Sequence, residues 1–189
     1  MNSINKSKNT GPKINESKKH HTMVNKNTID DNDYDYEDAP IDSTSIKQIT
    51  TDEIDTCKLM KSMQDKRGRS GATVVYVGSV RNYGKNGLVK EMFYESYVKM
   101  AEKRIKNIEK IAIKRWDIKK IRIIHRIGSI KLGNSSVVIA VSTPHSKDAF
   151  EACEFILAAI KKEVPIWKKE ILSNSKEKWV GGNPITIGE

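Results

Sequence analysis

At 189 residues, 37% hydrophobic and 31% charged, the chain has the length of one ordinary domain plus a tail, and its formal charge is +10. Residues 1–41 hold six Lys against seven Asp or Glu, net −1, so residues 42–189 carry +11, a charge that favours anionic partners: nucleic acid, phosphorylated metabolites or an acidic protein. No apolar run is long enough for a membrane span or a signal peptide, and the first arginine is Arg67, which speaks against an Arg-rich presequence; the cytoplasm is the expected compartment.

Residues 1–41 are Asn, Lys, Ser and Asp with isolated apolar positions, a composition that cannot offset its ordering entropy by burial, and they are expected to form a disordered polyampholyte tail. The folded domain is expected over residues 42–189. Ile46 to Ile49 suits a short strand, and Thr51-Asp52-Glu53 is expected to open a helix to about Met63, with Ile54, Cys57, Met60 and Met63 on successive turns. Gly71 to Val80 (GATVVYVGSV) is the strongest strand signal, followed by a Tyr-Gly-Lys-Asn-Gly turn and a second strand from Leu88 to Tyr97. Met100 to Trp116 repeats apolar residues at helical spacing, Ala101, Ile105, Ile108, Ile111 and Ala112, which predicts a helix with one buried face.

Two strands then follow, Ile118 to Ile127 and Ser135 to Ser142, joined through Gly128 and Gly133. Ser146 to Lys162 reads as a helix with Phe150, Cys153, Ile156, Leu157 and Ile160 inward, stopped by Pro165. Short strands around Trp167 to Leu172 and Lys178 to Val180 close the domain. Hairpin strands with too few helices for repeated βαβ units predict an α+β fold with a largely antiparallel sheet.

Cys57 and Cys153 lie far apart, with no CxxC and no suitably spaced His, so both are expected to be reduced and buried, with no metal site and no cofactor motif. Gly84 to Gly87 spells the GxxG of a KH loop, but that loop joins two helices and this one joins two strands. Walker, dinucleotide, nucleophile-elbow and HExxH patterns are absent.

Reactive groups concentrate in the second half. Lys161 precedes Pro165 by four residues and Lys168 follows it by three, so the Pro-Ile-Trp bend can turn both toward one cleft, where lysines serve as acids, bases or nucleophiles. The same KKEVPIWKKE segment is also compatible with a solvated basic face. Arg81 ends the best strand, where a side chain can project from a rigid support. His125 and Arg126 point to opposite faces of their strand, so one of them is structural. His145 sits in a Thr-Pro-His-Ser loop before a helix whose N-terminal amides attract anions, and Ser146 occupies the expected N-cap, followed by Lys147.

Five separated segments in order, GATVVYVGSVRN, YESYVKMAEK, IHRIGSIKLG, AVSTPHSKDAFEAC and IKKEVPIWKKE, resemble the large, catalytic subunit family of molybdopterin synthase over about Ile46 to Val180. The resemblance implies an α/β hammerhead fold and a homodimer carrying a small ubiquitin-like subunit at each end of a heterotetramer. It further implies that the small subunit's Gly-Gly tail, activated as a thiocarboxylate, donates sulfur to cyclic pyranopterin monophosphate. The family's pocket maps onto Arg81, His145, Lys161 and Lys168, with Lys161 deepest and contacting the tail's terminal carbonyl. One departure is Ser146, where the family carries Arg; Lys147 is the nearest substitute. A basic RNA-binding module and a non-catalytic scaffold of the same fold are the rival readings; the missing aromatic RNA platform opposes the first and the retained lysines oppose the second.

Overall fold

A computed structural model of the chain describes residues 47–180; the expected tail, residues 1–41, and the domain boundary at 42 lie outside the described residues. The order is β1 (Ile49–Thr50), α1 (Thr56–Ser62), β2 (Ala72–Ser79), β3 (Tyr83–Gly84), β4 (Gly87–Ser96), α2 (Val98–Arg115), β5 (Lys120–Arg126), β6 (Gly128–Lys131), β7 (Ser135–Thr143), α3 (Ser146–Glu163), β8 (Ile166–Leu172) and β9 (Glu177–Val180). A four-stranded sheet runs β1-β5-β7-β2, antiparallel except for the β1–β5 pair. The other sheet runs β3-β4-β8-β9, with β6 on β4, and its pairs are antiparallel. The α+β architecture and the dominance of antiparallel pairing are as the sequence predicts.

The first sheet is covered on both sides, which explains the unbroken β-branched run of β7. Val137, Ile139 and Val141 face α2 and α3, while Val138 and Ala140 face α1 through Ile54, Leu59 and Met63. A strand buried on both faces has no solvent side on which to alternate. Helix α2 buries Ala101, Ile105, Ile108 and Ala112 along one stripe, while Ile111, expected on the same face, is exposed at its edge. Its end is tied to α3 by Trp116, whose ring lies 5.3 Å from that of Phe155, with the Arg115 guanidinium over both.

Three local expectations are corrected. Helix α1 starts at Thr56 rather than near Thr51, because the Asp55 carboxylate accepts the Lys58 amide at 2.9 Å and so fixes the N-cap there, while Thr50 and Asp52 close a separate turn. Packing of Leu59 and Met63 against Ile124, Val138 and Ala140 sets the buried face of α1, and this leaves Cys57, expected to be buried, and Met60 exposed. In α3, Phe150 is 66% exposed, because the inward stripe is Ala149, Ala152, Cys153, Ile156, Ala159 and Ile160, and Phe150 lies on its flank.

His125, buried against Tyr94 at 5.2 Å between ring centroids, joins the two sheets, and its Nδ1–H donates to the Arg126 carbonyl at 2.8 Å. Burial lowers its pKa from 6.5 to about 4. An unfolded chain therefore takes up this proton below pH 6.5 while the folded one resists it until about 4. The histidine's contribution is complete above that window and is lost as pH falls through it, on the order of 3 kcal/mol. Denaturant titrations from pH 7 to 4 should show His125→Gln with a shallower loss of stability than the parent; parallel curves would refute this origin. Glu109, whose carboxyl burial pushes up, contributes the opposite slope and cancels in the comparison.

Candidate functional site

Arg81 follows the end of β2, its Nε donating to the Tyr83 carbonyl at 3.1 Å and its guanidinium 4.8 Å from the Tyr83 ring centroid, so the β3–β4 hairpin holds an otherwise exposed side chain. Lys161 stands in the last turn of α3, where the carbonyl end of a helix favours cations. Only Val164 and Pro165 separate α3 from β8. The Pro165 carbonyl accepts from Ser96 Oγ at 3.0 Å and from the Tyr97 amide at 3.4 Å, which pins the bend. Lys168, half-buried on β8, lies opposite Tyr94 of β4.

These three residues share one end of the domain. Tyr94, whose hydroxyl burial pushes up in pKa, lies beside Ser136 at the start of β7. Ser136 Oγ in turn donates to the Gly78 carbonyl at 3.0 Å, just before Arg81. Helix α3 runs alongside β2 in the same direction: Gly71 meets Pro144, and the buried Cys153 thiol reaches the Tyr76 backbone, so Lys161 lies toward the Arg81 end.

His145, Ser146 and Lys147 occupy the other end of α3. From His145 to Lys161 the helix rises ~24 Å, so one chain does not bring the two groups together. The N-cap is His145, without a side-chain cap bond, and Ser146 is the first helical residue; this corrects the expected cap by one position. The Thr143 hydroxyl fixes the turn by donating to the His145 carbonyl at 2.7 Å. Lys147 reaches forward along the helix to Glu151 at 3.9 Å and is 82% exposed.

Further along β8, neighbouring lysines part company. Lys169 faces the opposite side of the sheet from Lys168, over the Phe93 and Trp179 rings and 2.6 Å from Glu177. The expectation that Lys161 is deepest also changes, since in the single chain it is exposed. Sequence reasoning overlooked Tyr94, Ser136 and Glu170. Glu170 is 3% exposed and accepts from Asn86 Nδ2 at 2.8 Å. Strand alternation could have revealed it, because Glu170 shares its face with the buried Leu172.

Fold and site define an α+β domain with Arg81, Lys161 and Lys168 toward one end. A model of the MoaE protein family matches residues 49–163. The molybdopterin synthase catalytic subunit of Thermoplasma volcanium is 39% identical over 132 residues, covering 70% of this chain and 95% of that protein. That of Staphylococcus carnosus is 43% identical over 111 residues, 59% and 73% of the two chains. Among solved structures, molybdopterin synthase from Staphylococcus aureus superposes with a TM-score of 0.66 at 37% identity, covering 72% of this chain and 99% of that one. The chain belongs to the MoaE protein family.

Proposed function

We propose that this chain is the catalytic subunit of molybdopterin synthase, with the chemistry in residues 42–189. It transfers sulfur from the thiocarboxylated tail of a small ubiquitin-like subunit to cyclic pyranopterin monophosphate, and two rounds complete the dithiolene. The observation that carries this reading is the gathering of Arg81, Lys161 and Lys168 at one end of a MoaE-family domain. Thiocarboxylate and phosphate are both anions, so Arg81 and Lys168 attract them and hold the reacting atoms close. Lys161 stabilises the negative charge that develops at the tail carbonyl and moves protons.

His145 enters from a second copy. Among the described residues β2 has no strand on its outer edge, and Val77 and Phe150 leave apolar surface beside it. A two-fold antiparallel pairing along this edge reverses one β2 against the other. The end of one copy that carries Gly71, Pro144 and His145 then meets the end of its partner that carries Arg81, which overcomes the ~24 Å separation within a chain. This pairing gives a homodimer, and the resemblance to the family adds a small subunit at each end.

The test is reconstitution: the full chain, the thiocarboxylated small subunit and cyclic pyranopterin monophosphate should yield molybdopterin, and the same subunit ending in a plain carboxylate should yield none. Absence of product from a complex that has formed would overturn the assignment.

A further inference from the structure

Glu170 is an expensive residue where it stands. A carboxylate only 3% exposed, whose hydrogen bond comes from a neutral amide, costs a fold more than an apolar side chain of the same volume would. The surroundings are shaped to it. A Cβ on Gly84 would collide with the Glu170 carboxylate, so glycine at that position opens the notch the carboxylate fills, and Asn86, two residues on, closes it by donating Nδ2–H to Oε2 at 2.8 Å.

Two cations of the site flank this lock. On β8, Glu170 is two residues beyond Lys168 and on the same face, the pair lying opposite Met92 and Tyr94 of β4. Gly84 and Asn86 belong to the β3–β4 hairpin, whose Tyr83 carbonyl and ring hold Arg81. The carboxylate thus reaches from the strand that carries Lys168 to the hairpin that carries the anchor of Arg81.

Resting on the function proposed above, we infer that Glu170 is a positioning residue: through Asn86 and the Gly84 notch it fixes the hairpin over β8 and so sets where the Arg81 guanidinium stands relative to Lys168. Its acceptor oxygen, rather than its charge, does the positioning.

The test uses the reconstituted enzyme, reading KM and kcat for the pterin precursor together with the melting temperature. Glu170→Gln keeps an oxygen for Asn86 and should leave KM near that of the parent. Glu170→Met fills the volume without an acceptor and should raise KM about tenfold or more, with a melting temperature equal to or above the parent's. Asn86→Ala removes the same bond from the other side; it should raise KM similarly and add little in the double variant, and it serves alone if Glu170→Met does not fold. In an Arg81→Ala background, neither substitution should raise KM further. Parent-like KM in Glu170→Met or Asn86→Ala, or an undiminished effect without Arg81, would overturn the inference. Loss of turnover in the unmodified enzyme would instead count against the function itself.

Discussion

Lys161→Ala is expected to lower the rate of dithiolene formation by about 10²- to 10⁴-fold, the range for losing a group that handles protons or stabilises developing charge. The side chain is exposed on the last turn of α3 and makes no ion pair or hydrogen bond among the described residues, so its loss should leave the melting temperature within a few degrees. Removing a cation from the carbonyl end of a helix costs at most about 1 kcal/mol at an exposed site, too little to unfold the domain. Single-turnover assays with saturating partner and precursor separate this loss from weaker binding. A near-parental rate would remove Lys161 from the centre of the mechanism.

Two inactive variants, Lys161→Ala and His145→Ala, should restore turnover when mixed. The ~24 Å rise of α3 separates the two positions within one chain, so in the dimer proposed above each pocket would draw Lys161 from one copy and His145 from the other. In a mixed dimer, one pocket inherits both substitutions and its twin inherits neither. Random exchange of subunits at equal concentrations should therefore return roughly a quarter of the parental rate, far above either variant alone. Pockets assembled within one chain would show no recovery, and that result would dismiss the shared site while leaving the family assignment intact.

Much of the fold was legible because local patterns report local faces. The stripe of Ala101, Ile105, Ile108 and Ala112 marks α2, the β-branched run of Ser135 to Ser142 marks β7, and Pro165 marks the end of α3 because its ring cannot continue a helix. The basic groups around the Pro165 bend were visible for the same reason: sequence neighbours on a short bend stay neighbours in space. Arg81 was visible as the charge that ends the best strand.

What escaped the sequence depends on partners distant along the chain. Phe150 has helical spacing that fits an inward position, yet whether that flank meets a neighbour depends on where β2 ends its sheet. Lys168 and Lys169 are equivalent by composition, and only the register of β8 against β4 and β9 assigns one to Tyr94 and the other to Phe93 and Trp179. Glu170 looks like one more surface charge until the hairpin brings Gly84 and Asn86 over it, 84 residues away along the chain in the case of Asn86. Helix and strand types, and the residue classes able to handle anions, are legible in the chain alone, because propensity and periodicity act over a few residues. The tertiary structure decided which of those residues share an end of the domain and which stand ~24 Å apart, because strand register and helix direction are set by packing between segments that local patterning does not relate.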